Sequence, residues 1–234
     1  MRVFSISDLH LSFAKPKPMD IFGEAWKDHP ARLERAWRER VGGDDVVLLA
    51  GDLSWALRLE DALPDLAYLH TLPGRKVLIK GNHDYWWTSE AKVRAVLPPS
   101  ISILSGHAMH LGDSCGVAGT RLWLHPQAEG ATEADAKIYR RELGRLARAL
   151  QDLDRLRVDD RVALVHYPPT SPEEVSDAER LLVEHGVRTA IYGHLHGTAD
   201  QEAGVKGAVR GITYMLTSAD FLDFTPALVR DGRC

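Results

Sequence analysis

The sequence predicts an α/β protein, and two features of its apolar pattern carry that expectation. Short apolar runs alternate with segments of helical periodicity along the 234 residues, and five of those runs are only four or five residues long. These five are rich in β-branched and other apolar residues throughout, as strands buried on both faces require.

The five principal runs are residues 3–7, 46–50, 77–80, 162–165 and 189–192. Further strands are expected at 101–104, 109–111, 116–119 and 212–217, and helices at about 30–40, 60–71, 89–97 and 172–185. The longest helix should cover 132–157. Tyr139, Leu143, Leu146, Leu150 and Leu153 recur there at spacings of four, three, four and three, which draws one apolar stripe. Thr132, followed by Ala134 and Asp135, marks its start. Arg140, Arg141, Arg145 and Arg148 lie off the stripe and read as a solvated face. Two loops stand out. Residues 12–30 carry Pro16, Pro18 and Gly23 with several aromatics, and residues 204–211 hold three glycines before what reads as the last strand.

Composition narrows the class. Hydrophobic residues make up 44% and charged residues 26%, the balance of an ordinary globular enzyme with a sizeable core. A net charge of -4 gives no electrostatic attraction to nucleic acid, although a local metal site can hold a phosphate on an acidic protein. Cys115 and Cys234 make neither a disulfide framework nor a zinc ribbon and fit a reducing compartment. No signal-peptide pattern and no 18-residue apolar stretch occurs. The expectation is a soluble cytoplasmic protein without membrane contact. With no repeat and no convincing linker, residues 1–234 are expected to form one domain.

Chemistry gathers where the five runs end. The first ends in Asp8-Leu9-His10, the second in Gly51-Asp52, and the third in Gly81-Asn82-His83-Asp84. The fourth ends in His166-Tyr167-Pro168-Pro169 and the fifth in Gly193-His194-Leu195-His196. Ligands of α/β sheets bind beyond the carboxyl ends of strands. Two carboxylates, one amide and five imidazoles are therefore delivered toward one place. That nitrogen and oxygen inventory, without thiolate, suits Mn²⁺, Fe, Zn²⁺ or Co²⁺ better than the all-oxygen shell of Ca²⁺. Asp8, His10, Asp52, Asn82, His166, His194 and His196 are too many for one ion and furnish two that share a carboxylate. His83 is left over, beside Asp84, to work as an acid or base. Glycine before three of the clusters lets a strand turn sharply and backbone approach closely. Among the other histidines, His29, His70, His107, His110 and His185 read as packed or surface residues.

The ordered pattern D-x-H, G-D, G-N-H-D, H and G-H-x-H, from Asp8 to His196, closely resembles the calcineurin-like metallophosphoesterase superfamily. The resemblance implies a four-layer αββα sandwich: two mixed β-sheets flanked by helices. It implies one divalent ion on Asp8, His10, Asp52 and His196, and a second on Asp52, Asn82, His166 and His194, with Mn²⁺ the first choice. It further implies His83 as catalytic acid and Asp84 as its orienting partner.

Charge and geometry then point to a mechanism. Two divalent ions, less Asp8, Asp52 and a bridging hydroxide, leave about one positive charge to attract a phosphate. In-line attack of that hydroxide on phosphorus, with His83 protonating the leaving oxygen, is the expected reaction.

The substrate is read from departures and neighbours. Protein phosphatases of the superfamily carry an arginine soon after the G-D, whereas here Gly51-Asp52 is followed by Leu53-Ser54-Trp55 and Arg58 stands at a different spacing. That favours diesters or a broad ester range. Trp55, Tyr85, Trp86, Trp87, Trp123 and Tyr167 cluster near the motifs. Trp55, Tyr85 and Tyr167 are the candidate substrate contacts, able to stack a nucleobase, and the other reading is that most of these rings pack helices onto sheets. A small phosphate ester of nucleotide type, cyclic or linear, is the expected substrate, with monoesters as a further activity. A DNA nuclease or end-processing phosphatase is the alternative. The opening Asp8-Leu9-His10-Leu11-Ser12 is also similar to UDP-diacylglucosamine hydrolases, but those carry arginine in place of His83 and an apolar lid not found here. A catalytically silent scaffold would have no need of the full residue set.

Overall fold

A computed structural model describes residues 1–112, 114–172 and 174–232. The strands are β1 (Val3–Ile6), β2 (Val46–Leu49), β3 (Arg75–Ile79), β4 (Ile101–Leu104), β5 (His107–His110), β6 (Cys115–Thr120), β7 (Asp160–Val165), β8 (Thr189–Tyr192), β9 (Gly207–Val209), β10 (Ile212–Leu216) and β11 (Ala227–Arg230). The helices are α1 (His29–Arg40), α2 (Leu59–Thr71), α3 (Glu90–Arg94), α4 (Glu133–Leu156), α5 (Asp177–Glu184) and α6 (Gly197–Ala203). One sheet has the order β11-β1-β2-β3-β4 and the other β5-β6-β7-β8-β10-β9. In both, a parallel centre is bordered by antiparallel strands: β11 in the first sheet, β5 and β9 in the second.

The sheets pack face to face between helices, the expected αββα sandwich. Val3, Val46, Leu48, Val77 and Ile79 of the first sheet meet Val117, Val162, Leu164 and Ile191 of the second. The alternate residues Phe4, Ile6, Val47, Leu49 and Leu78 face outward onto α1 and α2, through Leu33, Trp37, Leu66 and Leu69. Ala163, Val165 and Ala190 do the same toward Leu146, Leu150 and Leu153 of α4 and Leu182 of α5. Both faces of the central strands are therefore covered, which is why their sequences are apolar at successive positions.

The long helix starts as read. Thr132 accepts from the Asp135 backbone N–H, and the Asp135 side chain accepts from the Thr132 N–H, a reciprocal cap. Its basic face is solvated as expected, with Arg140, Arg141 and Arg148 exposed and Arg145 partly so. Glu142 is buried on this helix and draws Arg145 to 2.8 Å, Arg141 to 3.3 Å and Arg121 to 3.8 Å, while Thr120 Oγ1 donates to it at 2.9 Å. A charge on the buried side of a helix carries no periodic apolar signal, so pattern reading passes over it.

Several expected elements are corrected. The glycine-rich stretch 204–211 is no simple excursion, because β9 lies within it and pairs antiparallel with β10. β10 is not the last strand either. β11 follows as an edge strand whose four residues are mostly part-exposed, too short and mixed for periodicity to show. The helix expected over 172–185 begins only at Asp177, capped by Ser176, and the one expected over 89–97 shrinks to Glu90–Arg94. The short helix α6 directly after His196 was not expected. Trp86 and Trp87 are buried in the core beneath the first sheet, so they pack rather than face ligand. Cys115 is buried between the sheets, and Cys234 lies outside the described residues. No described helix is long and apolar enough to cross a membrane.

Strand register brings the motifs together. Leu49 aligns with Ile6 on one side and Leu78 on the other, so β1, β2 and β3 end level. Leu164 aligns with Ile191, so β7 and β8 end level in the other sheet. The two sets of ends are laced to each other: Ser7 N–H donates to Thr217 O at 2.8 Å and Ala219 N–H to Ser7 O at 3.0 Å.

The Glu142 cluster gives a stability prediction. Glu142→Gln should lower the unfolding free energy by about 2–3 kcal/mol, because Arg121 loses its buried counter-charge. Urea denaturation checks this, and a midpoint equal to that of the wild type would show the cluster to be energetically idle.

Candidate metal centre

The backbone at the strand ends is held in an uncommon conformation. Asp8, His10, Asp52 and His194 all have positive φ, at 57°, 47°, 52° and 71°. Each such non-glycine residue costs on the order of 1–3 kcal/mol, and such residues cluster at functional sites. Two glycines make the close approach that brings the carboxylates in. A Cβ on Gly81 would overlap the Asp52 carboxylate, and one on Gly193 would overlap that of Asp8.

Two groups of donor atoms result. In the first, His196 Nε2 lies 3.4 Å from Asp8 Oδ1 and 3.4 Å from His10 Nε2, and His10 Nε2 lies 4.0 Å from Asp52 Oδ2. In the second, Asn82 Oδ1 lies 2.7 Å from His166 Nε2 and 2.9 Å from His194 Nδ1, and His166 Nε2 lies 3.5 Å from Asp52 Oδ2. Donor atoms of Asp8, Asp52 and His166 all fall within 4.8 Å of one another, so the groups adjoin through the carboxylates. The seven residues expected as ligands converge.

Burial makes this cluster a poor resting place for bare charges and a good one for cations. Asp8 and Asp52 are 0% and 1% exposed. Burial, with repulsion from Asp8 and Asp84, pushes the Asp52 carboxyl well above the usual carboxylate range. For Asp8 burial acts upward too, but the hydrogen bond from His196 and the charges of His166, His196 and His10 carry it below that range. Burial holds His10 well below its ordinary value, and burial with His166 takes His194 to about 3, so both rings stay neutral with nitrogen lone pairs available. His10 Nδ1 is buried without a hydrogen-bond partner. Converging lone pairs and two buried carboxylates fit divalent cations of the nitrogen- and oxygen-binding kind.

Outer contacts fix which nitrogen faces inward. His166 Nδ1–H donates to Ala50 O at 2.8 Å, which leaves Nε2 free for a cation. His196 Nδ1 is held by Asp220 Oδ1 at 3.0 Å, and Gln201 Nε2 donates to the other Asp220 oxygen at 2.8 Å. Burial disfavours the charged His196 ring, yet Asp220 and Asp8 together raise it to about 10. Asp220 went unnoticed in the sequence. It stands four residues beyond β10, so the rule of looking past strand ends would have found it had 212–217 been treated like the five principal runs.

The other candidates separate. His83 is half-buried at one end of the cluster, 5.7 Å from the His10 ring and 4.6 Å from Trp55 between centroids, and its backbone N–H donates to Asp52 Oδ1 at 2.8 Å. Burial, His166 and Lys17 lower its affinity for a proton, and an anionic phosphate bound alongside would act the other way. Asp84 does not orient it. Both Asp84 oxygens are taken by N–H groups of Asp52, Leu53, Ser54 and Gly81 and by the Trp86 indole, at 2.8–3.2 Å, so this carboxylate shapes the Asp52 loop instead. Trp55 stacks on His10 at 4.7 Å with Lys17 Nζ 3.0 Å over its ring, as a wall of the centre. Tyr85 is exposed, with its ring 6.2 Å from that of His83. Tyr167 covers His194 at 4.0 Å. Arg58 points to solvent, 3.9 Å from Glu60, and takes no part.

The sequence profile of the calcineurin-like phosphoesterases matches residues 1–198. The chain belongs to that family. Among curated proteins, this calcineurin-like phosphoesterase is 42% identical over 83 residues to the gene 66 protein of Mycobacterium phage D29, covering 35% of the chain and 40% of that protein. Its likeness to the gene 66 protein of Mycobacterium phage L5 is 36% over 78 residues, or 33% and 37% of the two chains. The matched stretches thus span less than half of those relatives. A phosphopantetheinyl hydrolase from Mycobacterium tuberculosis shares the fold at TM-score 0.55 and 15% identity, over 99% of this chain and 96% of that one. A protein of unknown function from Aquifex aeolicus does so at TM-score 0.51 and 15% identity, over 97% and 95%.

Asp220→Ala should weaken metal binding about 10–100-fold while leaving the fold intact, because His196 loses the partner that aims its ring. Calorimetric metal titration and circular dichroism check the two halves of that statement, and unaltered affinity would assign Asp220 to packing alone.

Proposed function

We propose that this chain is a metal-dependent phosphoesterase that acts on phosphodiesters, with nucleotide-type diesters, cyclic or linear, as its preferred class. The observation that carries the reading is the convergence of Asp8, His10, Asp52, Asn82, His166, His194 and His196 on two adjoining donor groups. When bound, a pair of divalent cations, Mn²⁺ foremost, supplies Lewis acidity to the ester phosphate and acidifies the attacking water.

The chain's own residues do the rest. Asp8, His10 and His196 hold one end of the centre and Asn82, His166 and His194 the other, with Asp52 between them. Ala50 O and Asp220 fix the His166 and His196 rings, so little reorganisation remains when substrate arrives. His83 stands beside the first group, where a leaving oxygen can take a proton from it. Trp55 and Lys17 close that side.

Charge supports the diester preference. A monoester dianion asks for one more cation than a diester, and the position after Gly51-Asp52 is filled by buried Leu53 and by Trp55. Lys17 favours monoesters as a second activity, because its charge lies close enough to act on His83. Direct nuclease action gains little support, since two of the arginines of α4, Arg141 and Arg145, are engaged by Glu142 and the chain carries a net charge of -4. A silent scaffold would not need the full donor set.

Mn²⁺-dependent hydrolysis of bis(p-nitrophenyl) phosphate, abolished by chelator and restored by Mn²⁺, is the test. His83→Ala should keep its metal and lose about 10²–10³ in turnover on a diester with an alkyl leaving group. Full activity of that variant would remove His83 from the reaction, and no diester turnover under any metal would remove the reading.

A further inference from the structure

A cleft of about 610 Å³ opens from the metal centre on the side away from His83. Its inner end is His194 and Tyr167, and its walls continue through Trp123, Leu124, Pro168 and Val175. The size falls in the range of about 300–1,000 Å³ that encloses a small organic ligand. Two aromatic pairs face it. Trp123 and Tyr167 lie 4.9 Å apart between centroids, and His125 meets Tyr139 at 5.1 Å. Arg121 covers one face of Trp123 at 4.2 Å and, held by Glu142, stiffens that wall.

The charge of the lining excludes a second phosphate. Arg180 is the cation among the described lining arginines and lysines, and it is paired with Asp177 at 3.1 Å, while Glu174 adds a negative charge. An anion would meet net repulsion there. A neutral, ring-bearing group would meet aromatic walls, with Gln127 to serve its polar edge.

Position decides which part of a substrate enters. His83 sits by His10 at one end of the centre, and the cleft starts at His194 at the other, against His166 at 5.1 Å. We infer that the cleft is the binding site for a neutral nucleoside, esterified to the phosphate as the group that stays on phosphorus, while the other ester oxygen departs toward His83. The inference rests on the phosphodiesterase reading above. In the reaction, water oxygen joins phosphorus and the P–O bond to the second alcohol breaks. That alcohol's oxygen takes a proton from His83, which regains one from the water, and the nucleoside leaves as its monoester.

Two substrates with one leaving group test this: thymidine 5′-(p-nitrophenyl phosphate) and methyl p-nitrophenyl phosphate. The holoenzyme should favour the first in kcat/KM by about tenfold or more, the scale of stacking one base. Val175→Trp, at an exposed lining position, should fill the cleft, and Trp123→Ala should strip a wall; each should bring the ratio toward parity. In chelator-treated protein, thymidine should shift the Trp123 indole resonance, and Val175→Trp should abolish that response. A ratio unmoved by both variants, or no thymidine response, overturns the cleft assignment and leaves the diesterase reading standing. Turnover of p-nitrophenyl phosphate with neither diester cleaved overturns the reading beneath it.

Discussion

Two carboxylates buried within 4.8 Å of each other's donor sphere are the constraint around which the rest of this molecule is arranged. Unit charges at that range repel by about 3 kcal/mol even at an effective dielectric of about 20. Nothing in an apolar sandwich would select such a pair for stability. Cations reverse the sign of the interaction, and His10 and His194, which burial keeps neutral, offer lone pairs rather than counter-charges. The left-handed backbone at Asp8, His10, Asp52 and His194, and the missing Cβ atoms of Gly81 and Gly193, are further costs of bringing these groups together.

The sandwich solves a placement problem. Neither sheet alone carries enough donors: the first contributes Asp8, His10, Asp52, Asn82 and His83, the second His166, His194 and His196. Parallel strands that end level put those residues on two rims, and the lacing of Ser7 to Thr217 and Ala219 joins the rims. Asp84 then works as a backbone clamp. By collecting the N–H groups of the Asp52 loop it fixes Asp52 between the two donor groups, which explains a buried carboxylate beside His83 whose oxygens are taken by backbone.

The parts legible in the sequence were those with a local signature. Runs such as Val46–Leu49 announce strands covered on both faces, and a ligand set hung on strand ends follows from where the runs stop. Thr132 with Asp135 marked the start of α4. What stayed hidden depends on partners distant in sequence. Glu142 meets Arg121, Asp220 meets His196, and β11 pairs with β1 across almost the whole chain. Asp84 was misassigned because adjacency to His83 in sequence says nothing about where a carboxylate points once the loop turns. Trp55 and Tyr167 do border the centre, but Trp86 and Trp87 share their composition and lie in the core, a distinction only packing can draw.

Metal stoichiometry tests the central claim most directly. Chelator-stripped protein titrated calorimetrically with Mn²⁺ should take up two ions per chain, and Asp52→Ala should lose both, since one carboxylate serves the two donor groups. One ion or none in the wild type, or two tightly held ions in the variant, would contradict the account.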